Sequence, residues 1–296
     1  MGHQKKSLIS FCLPCYNVKD FIGACIDSIV CQKELDSFEI LCIDDRSTDG
    51  TYDELLAIQA SNSNVRVLQN EENKGVSFTR NRLLRESLGE YIWFVDPDDL
   101  LYPNIASTFL VEIKKNKCDA LLGNFVRIKE NEDTSAFEHR TLEINPPRPM
   151  GTNLPNDTNG QKMCAIWAGL FNRGFLVENS LIFNEKMSVY EDMLFYFEIQ
   201  QCSEKIYKID TPCYFYRERT TSVMHTYSQK KLLSTYFSTR EMLRFFMSFK
   251  KFNESATIDE TISLWKQSVV TALASLQDRK FIKSQLEDLR SEKIYP

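Results

Sequence analysis

Short apolar runs alternate with helix-period segments over the first 125 residues. Leu8–Leu13 reads as a strand. Val18–Val30 reads as a helix with Val18, Phe21, Ile22, Cys25, Ile26 and Ile29 on one face. Phe38–Ile43 is a second strand, followed by the turn-rich Asp44–Gly50 and a short helix from Thr51. Val65–Leu68 is a third strand, and Gly75–Leu88 a helix that Gly89 would cap. Tyr91–Val95 is almost unbroken in bulky apolar residues, as befits a strand covered on both faces. Pro103 suits the first turn of a helix running to Asn116, and Ala120–Ile128 is a fifth strand.

Such alternation predicts an α/β fold, a mostly parallel Rossmann-like sheet flanked by helices. Sheets of this kind bind ligands beyond the carboxyl ends of their strands. The polar clusters Pro14–Asn17, Asp44–Asp49, Asn70–Gly75 and Asp96–Asp99 sit at those ends and should meet in one place.

Beyond them, Lys129–Gly160 is rich in Asn, Pro, Asp and Thr and reads as a long loop or lid. Order returns at Lys162–Phe171, with helices at Arg173–Asn179 and Val189–Gln201 and short strands at Lys205–Ile209 and Cys213–Arg217. From Ser228 the pattern is helical, with breaks near Phe252–Ala256 and Asp278. The pattern predicts an α/β region over 1–227, in two parts at 1–126 and 161–227. A helical extension over 228–296 completes it.

The chain has 296 residues, 43% of them hydrophobic and 26% charged, enough to bury a substantial core. A net charge of -5 argues against nucleic-acid binding, which normally shows a basic excess. No apolar run approaches a membrane span, and Met1–Lys6 lacks a signal-peptide layout. The nine cysteines are scattered and several fall in apolar segments, as for reduced thiols in a cytoplasmic protein. Cys12 and Cys15 have C-x-x-C spacing. A redox pair wants its first Cys at a helix N-terminus, however, and Cys12 lies within a strand.

Asp96-Pro97-Asp98-Asp99 puts three carboxylates in four residues directly after an apolar strand. A divalent cation with a preference for hard oxygen ligands, Mn2+ or Mg2+, would screen them and neutralise a departing diphosphate. A solvated acidic turn capping the next helix is the alternative. Asp44-Asp45-Arg46-Ser47-Thr48-Asp49 offers an acceptor for a nucleobase N–H and caps for the following helix. Tyr16 presents an aromatic face for a base or for packing.

In this order and placement, these pieces resemble the family 2 inverting glycosyltransferases of the GT-A fold. The series is Pro14-Cys15-Tyr16-Asn17, Ile43 to Thr51, Asn73-Lys74-Gly75 with Thr79-Arg80-Asn81, and Gly89 to Asp99. The resemblance is close from Leu8 to Val126 and looser from Ala165 to His225, and it implies a catalytic domain over 1–227 with a nucleotide-binding half at 1–126 and an acceptor-binding half at 161–227. It implies that Pro14, Tyr16 and Asp45 form the nucleoside pocket and that Asn73 and Arg80 contact the nucleotide. It makes Asp96 and Asp98 the D-x-D pair, with Asp98 the direct metal ligand, and Asp192 of the Glu191-Asp192 pair the catalytic base. Arg217, Arg219 and Ser222 match a late basic segment that closes over the diphosphate, where His225 would add a metal or phosphate contact. Arg46 stands where the family usually has Gly, and Thr79 where Ala is common.

The resemblance also implies a nucleotide-sugar donor, most commonly a UDP-sugar, and a glycan or lipid-linked acceptor in surface polysaccharide synthesis. Met242–Phe252 mixes aromatics with cations. It is a candidate for peripheral contact with the inner face of a membrane, for a homo-oligomer contact, or for packing. Among competing classes, a dinucleotide-dependent oxidoreductase needs glycines after the first strand, and Pro14–Asn17 has none. A sugar nucleotidyltransferase needs a Gly- and Arg-rich loop that is missing there. A non-catalytic sugar-binding homologue would commonly have lost a metal carboxylate or the base, yet Asp96, Asp98 and Asp192 are all present.

Overall fold

The computed structural model describes residues 8–35, 37–132, 134, 146–149, 165–219, 229–250 and 256–292. Ser222, His225, most of the Lys129–Gly160 loop and the expected helix break after residue 250 lie outside them. In chain order the elements are β1 (Ile9–Cys15), α1 (Lys19–Val30), β2 (Phe38–Asp44), α2 (Thr51–Ser61), β3 (Val65–Gln69) and α3 (Val76–Glu86). Next come β4 (Tyr91–Phe94), β5 (Leu100–Leu101), α4 (Ile105–Asn116), β6 (Ala120–Lys129) and β7 (Arg148–Pro149). A 3-10 turn (Ile166–Ala168) leads into β8 (Gly169–Asn172), α5 (Arg173–Glu178), α6 (Glu191–Cys202) and β9 (Ile206–Glu218). Helices α7 (Gln229–Lys250), α8 (Ala256–Ala274) and α9 (Arg279–Ser291) follow.

The chain falls into two compact units: Met1–Thr152 with Cys164–Phe183 and Phe195–Thr220, and Asn153–Met163 with Asn184–Leu194 and Thr221–Pro296. The first holds the sheet, ordered β3-β2-β1-β4-β8-β6-β9-β5 with β7 on β9. Strands β3, β2, β1 and β4 are parallel, as are β6 and β9, while β8 runs antiparallel between β4 and β6. Strands β1 and β4 are buried along their whole length, which suits their nearly continuous apolar sequences, broken in β1 by the hydrogen-bonded Ser10. Trp93 sits 4.9 Å from the Phe109 ring and donates its Nε1–H to Trp167 O at 2.8 Å, so it is both packed and satisfied.

Pro14 lies inside β1 without interrupting the sheet. Cys12 O accepts from Val95 N and Cys15 O from Asp45 N, so even-numbered residues of β1 face β4. Pro14 faces β4 beyond the last laddered pair, Cys12 with Phe94, where no N–H is required.

Three local expectations change. Helix α3 ends at Glu86 with an extended Ser87, so Gly89 is not its cap. Gly89 instead permits close approach: a Cβ there would lie 2.5 Å from Ser10 N and 2.9 Å from Ile9 C. Gly89→Ala should therefore destabilise the fold by about 2–3 kcal/mol, read as a lower urea midpoint with an unchanged slope. Pro103 precedes α4 rather than entering it, because left-handed Asn104 (φ 56°) intervenes. The two expected late strands are one, β9. Its register on β6 shifts twice between Leu122 and Phe125, and Pro212 pairs with Asn124 at that irregularity, which accommodates a proline inside the strand.

Burial pushes the Glu198 carboxyl of α6 up to about 7. Below the unfolded-chain value near 4.3, both states are protonated. As pH rises from there, the unfolded chain ionises first, and stability is lost until the pH passes about 7. Glu198→Gln should thus raise stability by about 1–3 kcal/mol at pH 8, with the gain fading towards pH 5. Melting curves at both pH values check this, and an equal gain at both would remove the assignment.

In the second unit, Phe246 of α7 stacks on Trp265 of α8, and Met242 and Leu243 are buried. Met242, Leu243 and Phe246 of the Met242–Phe252 stretch are thereby used in packing. Arg240 and Arg244 of α7 pair with Glu292 at 2.6 and 2.8 Å. The expected break at Asp278 is a helix cap, its carboxylate accepting from Lys280 N and Phe281 N. Among the described residues no helix is long and apolar enough to cross a membrane.

Candidate active site

The polar strand ends of the first unit are tied to one another by side-chain hydrogen bonds. Asn17 N donates to Ser47 Oγ (3.0 Å), and Thr48 N donates back to Asn17 Oδ1 (2.8 Å), joining the loops after β1 and β2. Asp49 bridges two helix starts, accepting from Lys19 N at 3.1 Å and from Thr51 N at 2.9 Å. Burial pushes its carboxyl up, but the bonds from Thr51 and Lys19 outweigh this and hold it below the usual range.

Asp45 is buried and connects the loop after β2 to the start of α3. Its Oδ1 accepts from Asn70 Nδ2 (2.7 Å) and Lys74 N (2.8 Å), its Oδ2 from Gly75 N (2.7 Å). A carboxylate has about four acceptor positions, so these three donors fix its orientation and leave room for another N–H. The Thr79 hydroxyl has a use that Ala would lack, accepting from Asn70 Nδ2 and donating to Gly75 O, both at 3.0 Å. Arg46 keeps the left-handed backbone (φ 63°) that suits Gly, and its guanidinium reaches Gln69 Oε1 at 3.0 Å. Tyr16 is 47% exposed, and Asn73 is also exposed.

In the acidic triplet after β4, Asp96 and Asp98 each meet an arginine side chain, while Asp99 accepts from a backbone amide. Arg80, buried on α3, donates to Asp96 Oδ1 at 2.8 Å. Arg219 donates to Asp98 Oδ2 at 2.7 Å. Asp99 Oδ1 accepts from Arg217 N at 2.7 Å. Burial pushes the Asp99 carboxyl well up, and the charges of Asp98 and Asp96 add to this. The Arg217 guanidinium donates to Asp98 O (2.8 Å) and to Glu130 O, so it braces the loop through backbone carbonyls.

Like-charge crowding at hard oxygens fits a divalent cation of the Mn2+ or Mg2+ kind. Among the described residues no group of three or more His, Cys, Asp or Glu is gathered around one metal position. Asp96 and Asp98 are partly exposed and offer carboxylate oxygens, the donor type that Mg2+ commonly takes one or two of alongside phosphate oxygens. Cys12 and Cys15 are buried, and desolvation pushes both thiols far up, which disfavours a reactive redox pair.

Two participants escaped the sequence reading. Tyr214 OH accepts from Asp96 N at 2.9 Å. Phe21 lies under two guanidinium groups, 4.4 Å from that of Arg219 and 5.6 Å from that of Arg217. Phe21 shares the apolar period of α1, so only its partial exposure marks it out. Asp192 stands in the first turn of α6, in the second unit, and its Oδ1 accepts from Met193 N at 2.8 Å.

A parallel strand-end array of this kind with a mixed continuation is the GT-A class of fold. TarS of S. aureus, solved in complex with UDP-GlcNAc, shares it at a TM-score of 0.62 and 20% identity, over 93% of this chain and 75% of that one. The model described as Glycosyl transferase family 2 matches residues 10–177, more than half the chain, which therefore belongs to that family. The uncharacterized glycosyltransferase EpsJ of Bacillus subtilis is 28% identical over 73% of this chain and 62% of its own length. The poly(ribitol-phosphate) beta-glucosyltransferase of Bacillus spizizenii is 31% identical over 63% of this chain and 28% of its own length. The chain thus spans less than two thirds of either relative.

Proposed function

We propose that the chain is a metal-dependent inverting glycosyltransferase. It would move a sugar from a nucleotide-sugar donor, a UDP-sugar, to a hydroxyl of a glycan or lipid-linked acceptor in surface polysaccharide synthesis. The observation that carries this reading is the acidic triplet, crowded at the end of a buried strand and flanked by Arg80 and Arg219. A UDP-sugar is supported by TarS, whose complex holds UDP-GlcNAc, and a surface polymer by the poly(ribitol-phosphate) enzyme.

In this reading Tyr16 and Pro14 flank the base, and Asp45 accepts its N–H. Asn73 and Arg80 hold the nucleotide. Asp98 and Asp96 would hold Mn2+ or Mg2+, which supplies positive charge for the departing nucleoside diphosphate. Arg219, with Ser222 and His225 of the same segment, donates to that diphosphate, and Arg217 braces the loop. Asp192 takes the acceptor hydroxyl proton as the oxygen attacks the anomeric carbon from the side opposite the leaving group, inverting it.

The test is binding followed by turnover. UDP with Mn2+ should raise the melting temperature more than either alone, and more than GDP or dTDP with Mn2+. A UDP-sugar should then be cleaved slowly even without acceptor. No stabilisation by any of the three nucleotides with Mn2+ would remove the reading.

A further inference from the structure

Two carboxylates of the triplet, Asp96 and Asp98, each pair with an arginine side chain, Asp99 accepts from the backbone N–H of Arg217, and the three arginines differ in how they are held. Arg80 comes from the body of α3 with its side chain only 5% exposed. Arg217 is the penultimate residue of β9 and is bound through backbone atoms. Arg219 lies just beyond β9, and its ion pair with Asp98 has 17% and 29% side-chain exposure. Its guanidinium donates to Asp98 Oδ2 at 2.7 Å and lies 4.4 Å from the Phe21 ring centroid. Phe21 projects from α1 but is absent from that helix's buried set of Ile22, Cys25, Ile26 and Ile29. Its ring is instead placed against two cations, as the negative face of an aromatic favours.

Asp98 is also the carboxylate assigned to the divalent ion. One oxygen pair cannot serve a close guanidinium and a metal ion equally, because the two cations repel at that range. We infer that Phe21 is a positioning residue that stations Arg219 on Asp98 as a built-in cation. A divalent ion exchanges with this cation at the carboxylate, and the displaced guanidinium turns to the incoming diphosphate. The inference rests on the metal-dependent reading above. It accounts for three acidic groups being tolerated together before a ligand arrives, and it couples metal entry to nucleotide capture. The exchange breaks no covalent bond and moves no proton.

The signature is an opposite change in two affinities, which loss of packing would not produce. Mn2+ alone is titrated into the full chain without nucleotide, with free Mn2+ followed by electron paramagnetic resonance. Arg219→Gln should bind Mn2+ roughly three- to tenfold more tightly than the unaltered chain, since a partly exposed ion pair no longer competes. Phe21→Leu should tighten Mn2+ binding roughly two- to fivefold by removing the ring face, and Phe21→Tyr should restore the original value. In saturating Mn2+, UDP should bind more weakly to Arg219→Gln. Circular dichroism melting identifies folded variants, and Phe21→Leu decides if Arg219→Gln does not fold. Equal or weaker Mn2+ binding by the folded variants overturns the exchange while leaving the metal-dependent reading intact. No Mn2+ uptake by the unaltered chain even with UDP overturns that reading itself, and the exchange with it.

Discussion

Asp98→Asn is expected to lower kcat/KM for sugar transfer by about 10³-fold, equivalent to roughly 4 kcal/mol of lost transition-state stabilisation. The amide has the shape of the carboxylate and can still accept from Arg219, which donates to Oδ2 at 2.7 Å. What it loses is the negative charge that recruits a cation to the leaving diphosphate. The effect on folding should stay within about 1 kcal/mol, because the Asp98–Arg219 pair is partly solvated. Asp96→Asn makes an informative companion. It leaves the guanidinium of Arg80, only 5% exposed, facing a neutral partner, so it should lose stability as well as activity. Initial rates of UDP release in Mn2+, with melting curves for each variant, separate the two effects. A wild-type rate in Asp98→Asn would take that residue out of its role.

The parallel half of the sheet was legible because each strand there announces itself twice. A run buried on both faces must be apolar throughout, as in Ile40–Ile43 and Tyr91–Phe94, and its end must turn polar where the ligand face begins. Elements held by distant partners were harder. β5 is two residues long and exists only because Leu100 and Leu101 pair with Phe215 and Tyr214. β9 has an interior proline, and only its pairing with β6 shows that one strand continues through it. Gly89 looked like a helix cap from its neighbours, whereas the backbone of β1 against it makes a side chain intolerable.

The candidate site divides in the same way. The residue types at Asp45, Asp96 and Asp98 could be read from the chain, since they follow strand ends on one side of the sheet, whereas Arg80 lies within α3 and stood out only through the family resemblance. That Arg219 would pair with Asp98 across 121 positions, or that Phe21 would lie beneath it, depends on β9 returning beside β5. No local period carries that information.

Asp192→Asn is expected to reduce kcat by about 10²–10⁴-fold, the range associated with losing a general base, while donor KM stays within about twofold. In the first turn of α6 the helix macrodipole favours the ionised carboxylate, the form needed to take a proton. Asn preserves the acceptor used by Met193 N at 2.8 Å, so the helix start should survive the change. It cannot accept the acceptor's proton, so the loss should fall on the chemical step. Glu191→Gln is the discriminating control. Glu191 is the neighbouring carboxylate and is buried, so removing its charge tests whether any acid at this helix start would serve. Retention of wild-type kcat in Asp192→Asn, with collapse in Glu191→Gln, would move the base one residue back. Collapse in neither would place proton removal outside this helix altogether.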